Sequence, residues 1–203
     1  MSNTNYFKQM KTFELKGTVR TDLGKKASKA DRVAESVPCV LYGGKENVHF
    51  TTTVSDLRKL VYSPDVFVVD LDIDGNKCKA IMKALQFHPV NDKVLHIDFL
   101  QVSEDKPVVV EIPVKLEGLA EGVKAGGKLA LEMRKLKVKG IYTQIPERIT
   151  IDVTSLGLGK TVQVAKVSVE NLEILNAKNA VVAQVKLTRA ARGAAAAAAA
   201  GKK

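Results

Sequence analysis

His88, His96 and Asp98 have the side chains of an acid/base pair or of metal ligands. Only three histidines occur in the chain, His49 being the other, which is few for a metal site. Cys39 and Cys78 lie 39 positions apart with no C-x-x-C pair, so zinc-ribbon and thioredoxin-like spacings are excluded. Gly159-Lys160-Thr161 imitates the end of a phosphate-binding loop, but the glycine required five positions earlier is Thr154. No Ser or Cys sits in a nucleophile-elbow motif. A hydrolase built on His88, His96 and Asp98 therefore lacks both nucleophile and metal signatures.

The pattern around these residues points to binding. Along Leu95-His96-Ile97-Asp98-Phe99 strict alternation puts His96 and Asp98 on one side of a strand and Ile97 and Phe99 on the other. A polar face on a core-building strand suits hydrogen bonding to phosphates or base edges. Gln86 and His88 share strand parity nearby. The cations are clustered too. Residues 11–103 hold 14 Lys and Arg against 12 Asp and Glu, residues 104–188 hold 13 against 10, and residues 189–203 hold four cations and no acid. The net charge of +10 is thus local. Between Lys16 and Arg32, six cations face only Asp22 and Asp31. RNA binding requires cations for phosphates together with donors, acceptors and planar groups for exposed bases. Arg20, Lys25, Lys29 and Arg32 supply the first; Tyr42, Gln86, His88, His96 and Asp98 supply the second.

These residues have to be positioned by a mostly β scaffold. Lys11–Val19 alternates as a strand with Phe13, Leu15 and Val19 on one face. Gly24–Ser36 reads as a polar helix too thin in apolar residues to be buried, and Pro38 is expected to stop it. Cys39–Tyr42 and Phe50–Val54 read as strands. A short helix follows, with Ser55 as the expected N-cap and Pro64 beyond its end. Val66–Ile73 and Lys77–Phe87 flank Asp74-Gly75-Asn76 as a hairpin, and Val94–Val102 is a further strand. Both cysteines fall in β-like runs and read as small core residues. A polar connection at Ser103–Pro107 marks a boundary. Beyond it, Val108–Leu116 has every even position apolar, Gly118–Gly127 reads as a glycine-rich loop, and Leu136–Val138, Ile149–Val153, Thr161–Val169 and Val181–Leu187 read as shorter strands. Seven alanines, Ala194–Ala200, and Gly201-Lys202-Lys203 form a low-complexity basic tail with no face to bury.

Several of these blocks, in order, carry a family signature. Val19-Arg20, Leu23-Gly24-Lys25-Lys26-Ala27-Ser28-Lys29 and Val37-Pro38-Cys39-Val40-Leu41-Tyr42-Gly43-Gly44 resemble the opening of the bacterial ribosomal protein twenty-five family of the large subunit. Gln86-Phe87-His88-Pro89 and His96-Ile97-Asp98-Phe99 resemble the end of that family's first domain. Gly122–Leu129 and Ile145-Pro146-Glu147-Arg148-Ile149 resemble the second domain of its long form, the general stress protein Ctc type. The resemblance spans about residues 12–188. It implies a six-stranded β-barrel like the anticodon-binding barrel of glutaminyl-tRNA synthetase, binding 5S ribosomal RNA, followed by a second β-rich domain. By motif, the implied RNA contacts are Arg20, Lys25, Lys29, Arg32, Tyr42, Gly44, Gln86, His88, His96 and Asp98, with Lys16 and Lys26 as bystanders. Three positions depart from the family pattern: Lys29 stands where arginine is usual, Ala30 at a commonly basic position, and Phe87 where some members have arginine.

The expected organisation is an N-terminal extension over residues 1–10 (Met10 being the more typical start), an RNA-binding barrel over 11–103, a β-rich domain over 104–188 and a tail over 189–203. The expected function is that of a structural constituent of the large ribosomal subunit, without catalysis, cofactor, metal or small-molecule substrate. Its partners would be 5S rRNA and neighbouring ribosomal RNA and proteins. The polar N-terminus and the lack of an apolar run of spanning length point to a cytoplasmic protein with no membrane association. The alternative is a tRNA- or stress-related RNA module acting off the ribosome.

Overall fold

The computed structural model describes residues 10–169, 171–189 and 191. The expected N-terminal extension, apart from Met10, and the alanine tail lie outside the described residues. The described chain forms two units. One holds the residues up to Val110 together with Gly140–Glu147; the other holds Glu111–Lys139 and the residues from Arg148 onward.

The first unit is a closed barrel of six strands: β1 (Lys11–Val19), β2 (Ser36–Tyr42), β3 (Val48–Thr53), β4 (Phe67–Ile73), β5 (Asn76–Phe87) and β6 (Val94–Gln101). Around the barrel they run β1-β3-β2-β6-β5-β4. The pairs β1–β4 and β2–β6 are parallel and the remaining four are antiparallel. Alternation supplies the core: Leu15, Cys39, Leu41, Phe50, Val69, Leu71, Ile97 and Phe99 point inward and are buried. The Phe50 and Phe99 rings meet at 5.7 Å. Full burial of each such side chain contributes roughly 1.5–3 kcal/mol. Val19 is the exception to the expected face, being 47% exposed at the end of β1.

Two helices complete this unit. Helix α1 (Lys25–Val33) connects β1 to β2, which run in the same direction with β3 between them. It buries no residue, as its thin apolar stripe implied. Its end is set by Glu35, which adopts a left-handed φ of 57° while its carbonyl accepts from Val54 N–H. Pro38 is not the stop: it lies buried within β2, opposite Thr51 of β3, and the β6 ladder begins one residue later at Cys39. The missing proline N–H therefore costs no bond of the β2–β6 ladder. Helix α2 (Val54–Val61) packs on β1 and β3 with Leu57 and Leu60 in the core. Its N-cap is Thr53, whose hydroxyl accepts from Asp56 N–H at 3.3 Å, and Ser55 falls inside the helix. The β4–β5 hairpin turns on Asp74 and Gly75, both at positive φ (48° and 89°), as the two-residue turn requires.

In the second unit, β7 (Val108–Glu117) begins at the domain junction with Val108, Val110, Ile112 and Val114 buried. The remaining elements are α3 (Glu121–Lys124), β8 (Lys128–Leu131), β9 (Lys135–Gly140), β10 (Ile149–Asp152), β11 (Thr161–Gln163), β12 (Glu173–Ile174) and β13 (Val181–Lys186). They make a four-stranded sheet ordered β10-β7-β9-β12 and a three-stranded sheet ordered β11-β13-β8. The expected glycine-rich loop contains the single turn α3, and β8 and β12 add to the expected strands. Thr161–Val169 is strand for only three residues before a 3₁₀ turn at Val164–Lys166. Gly159, at φ 68°, leads into β11 and not into a helix, so the phosphate-loop imitation has the wrong geometry as well as the wrong spacing. The chain is mainly β with three short helices.

Candidate nucleic-acid interface

The outer surface over β3, β2, β6 and β5 is assembled by the ladder. His49 faces Val40, Val40 faces Asp98, and Asp98 faces Ala84. In the flanking positions Gln86 faces His96 and Tyr42 faces Leu100. Because Ile97 and Phe99 are fully buried, His96 and Asp98 must point outward. There His96 Nδ1 lies 2.8 Å from Asp98 Oδ1, with both side chains 29% exposed. The carboxylate takes up one ring nitrogen and leaves Nε2 to face a ligand. Burial, and then the Asp98 charge, raise the pKa of the Tyr42 hydroxyl above its ordinary value, keeping it a neutral donor.

Helix α1 is fastened beside this face by its own basic residues. Arg20 Nη2 donates to Ser28 Oγ at 3.1 Å and lies 2.9 Å from Asp31 Oδ2, an ion contact without hydrogen-bond alignment. The Arg20 side chain is 9% exposed, and its backbone N–H donates to His49 C=O at 2.9 Å. At the other end of α1, Arg32 Nε donates to Leu95 C=O at 3.1 Å, next to His96. Ala27, Ser28 and Asp31 are the partly buried residues of the helix, whereas Lys25, Lys26, Lys29 and Arg32 are exposed. At 3.6 residues per turn, Lys25, Lys29 and Arg32 fall within an arc of about 60°. The start of α1 is electrostatically unfavourable in the free protein: Gly24 gives no side-chain cap, the first turn has no acid, and two lysines sit at the positive end of the dipole.

The rest of the barrel surface differs in charge. Across β1, β4 and β5 the ladder aligns Glu14 with Asp70 and Lys79, and Lys16 with Asp72 and Lys77. Three acids and three lysines balance there, which places Lys16 in a neutral ladder.

Two of the sequence-derived residues sit at the margins. His88 lies beyond the end of β5, where Nδ1 accepts from Val90 N–H at 3.2 Å and Asn91 N–H at 3.4 Å. That nitrogen shapes the turn, so the proton of the neutral ring resides on Nε2. Gly44 is exposed after β2, against the Gln101 side chain. Its neighbour Gly43 has φ 93°, and a Cβ there would come within 2.7 Å of Leu100 Cδ1. Ser28 and Asp31, not among the expected contacts, carry a signal in the placement of short polar residues on α1 where an apolar stripe would otherwise stand. Among the described residues, no group of three or more His, Cys, Asp or Glu is arranged to hold a metal, and no helix is long and apolar enough to cross a membrane.

Residues 15–99 match the Ribosomal L25p family and residues 107–189 match the C-terminal domain of ribosomal protein TL5. The large ribosomal subunit protein bL25 of Azobacteroides pseudotrichonymphae is 62% identical, over 83% of this chain and 90% of that protein. The chain belongs to the bL25 family. The bL25 proteins of Phocaeicola vulgatus and Porphyromonas gingivalis are 61% and 60% identical, each over 83% of this chain and 89% of their own length. The first of these family matches coincides with the barrel and takes in α1 and every candidate residue from Arg20 to Asp98. The second begins just before β7 and runs past β13. Members of this family are structural ribosomal proteins, not enzymes.

Proposed function

We propose that the chain is a structural component of the large ribosomal subunit that binds 5S rRNA through its barrel. The observation that carries this reading is the single outward face on which α1 presents Lys25, Lys29 and Arg32 beside the Tyr42, Gln86, His96 and Asp98 cluster. The lysines supply sequence-independent phosphate attraction, and the half-exposed polar groups on rigid strands read base edges or ribose hydroxyls. A phosphate at the start of α1 relieves the unfavourable pairing of Lys25 and Lys26 with the helix dipole. Arg20 contributes by holding α1 in place, His88 by shaping the turn beside Gln86, and Gly44 by letting RNA backbone approach the end of β2. The second unit contacts neighbouring ribosomal RNA or protein. As part of the ribosome the protein is cytoplasmic.

The test is a gel-shift titration of the full chain against a 5S rRNA transcript and an unrelated RNA of equal length, across a salt series. Preference for 5S rRNA at moderate salt supports the assignment; equal affinity for both RNAs overturns it. A salt series is essential because non-specific phosphate binding alone gives steep salt dependence.

A further inference from the structure

Phe87 ends β5 with its ring held against a second exposed ring. Its ring lies 6.4 Å from that of Tyr62, with the planes tilted by 43°. Neither ring is absorbed into the core: Tyr62 is 64% exposed and Phe87 42%. Two large aromatic surfaces in mutual contact and open to water are costly to leave uncovered unless a partner covers them.

The setting of the pair identifies the partner's chemistry. Phe87 ends β5 immediately after Gln86, with Val94 opposite it beyond a register shift, so the rings sit at the end of the barrel next to the strand position that bears Gln86 and faces His96. Tyr62 follows the last turn of α2, where its N–H donates to Arg58 C=O and both Arg58 and Lys59 are exposed. Lys93 is also exposed and its carbonyl accepts from His88 N–H, directly beyond Phe87. Against these three cations stand the exposed Asp92 and, in the first turn of α2, the exposed Asp56. Aromatic rings set among cations next to base-reading polar groups are the arrangement that stacks unpaired bases while holding the adjoining phosphates. A docking surface for an apolar protein segment would not require the cations.

We propose that Tyr62 and Phe87 form a stacking ledge for an unpaired nucleobase of the bound RNA, adjoining the Gln86 and His96 positions. This rests on the 5S rRNA reading above.

The experiment compares the full-length parent with Phe87→Ala, Phe87→Leu, Phe87→Tyr and Tyr62→Ala in titrations against the 5S rRNA transcript. Thermal melts establish that each variant is folded. Loss of one stacking partner is expected to weaken binding about tenfold for Phe87→Ala and Tyr62→Ala, with the salt slope unchanged. Phe87→Leu keeps apolar bulk without a π face and is expected to match the alanine variant, whereas Phe87→Tyr is expected to bind as the parent does. Full affinity in both alanine variants, or in Phe87→Leu, overturns the ledge while leaving 5S recognition intact. Variants that bind RNA normally but are lost from salt-washed large subunits assign the rings to a protein neighbour, which also overturns it. A parent chain with no preference for 5S rRNA overturns both readings together.

Discussion

The basic residues between Arg20 and Arg32 divide by what their nitrogens already touch. Arg20 is committed inward, to Ser28 and Asp31, whereas Lys25 and Lys29 extend from the exposed side of α1. Arg20→Ala is therefore expected to act on structure first, lowering stability by about 1–2 kcal/mol, between the values for exposed and buried ion pairs, as read by thermal melting. Lys29→Ala should leave the melt unchanged and Lys25→Ala should raise it slightly by relieving the helix dipole, while both weaken binding to all RNAs alike and each reduce the log-affinity against log-salt slope by about 0.7–0.9. Sequence inspection grouped these residues by charge. It did not separate them, because Arg20 meets partners eight and eleven positions away across a chain reversal that no local periodicity encodes. Cys39 makes a different kind of prediction. Burial, followed by the Asp98 charge, raises its thiol pKa from 9.0 to about 12. The thiol should resist alkylation in the folded protein. Since the folded-state pKa is raised, its contribution to stability is complete below pH 9 and is lost as pH rises toward about 12, so a pH series of melts should show stability declining across that window.

At the scale of elements, alternation and turn chemistry were the legible signals, and they hold where one face is apolar and the other polar. The β4–β5 hairpin, the inward residues of β6 and the even positions of β7 all follow that rule. Boundaries were less legible because competing stop signals stood close together. Glu35 ends α1 before Pro38 is reached, and Thr53 caps α2 ahead of Ser55. The weak strands β8 and β12 have four and two residues, too short to establish a period. What joins α1 to the outer face of β6 was illegible: one end of that link is a backbone carbonyl, Leu95 C=O, which carries no side-chain signature. Two glycines allow a comparison of causes. Gly75→Ala meets no atom within 4 Å and should cost only the strain of a positive φ, about 1 kcal/mol. Gly43→Ala adds the encounter with Leu100 to the same strain and should be the more damaging, by thermal melting and by RNA affinity together.

At the scale of the whole molecule, the first unit is not a simple N-terminal stretch. Lys11 Nζ bridges Asp65 Oδ2 at 3.2 Å and Glu147 Oε1 at 2.8 Å, and Tyr142 OH donates to Glu104 Oε1 at 3.4 Å. Hydrogen bonds to these carboxylates, Glu147 foremost, raise the pKa of Lys11 above its ordinary value. A fragment ending at residue 103 should consequently melt below the barrel of the full chain, and Glu147→Gln in the full chain should reproduce part of the difference. Closure of the barrel has one more consequence, for the order of events during synthesis. β1 finds seven of its ladder partners on β4, with Lys11 opposite Phe67, so β1 waits for a segment 56 residues later. At translation rates of about 5–20 residues per second, that wait is roughly 3–11 s. Until β3 is made both edges of β1 lack partners, and until β4 is made one still does, so a ribosomal protein built this way spends the opening seconds of its life in need of the shelter that its finished barrel later makes unnecessary.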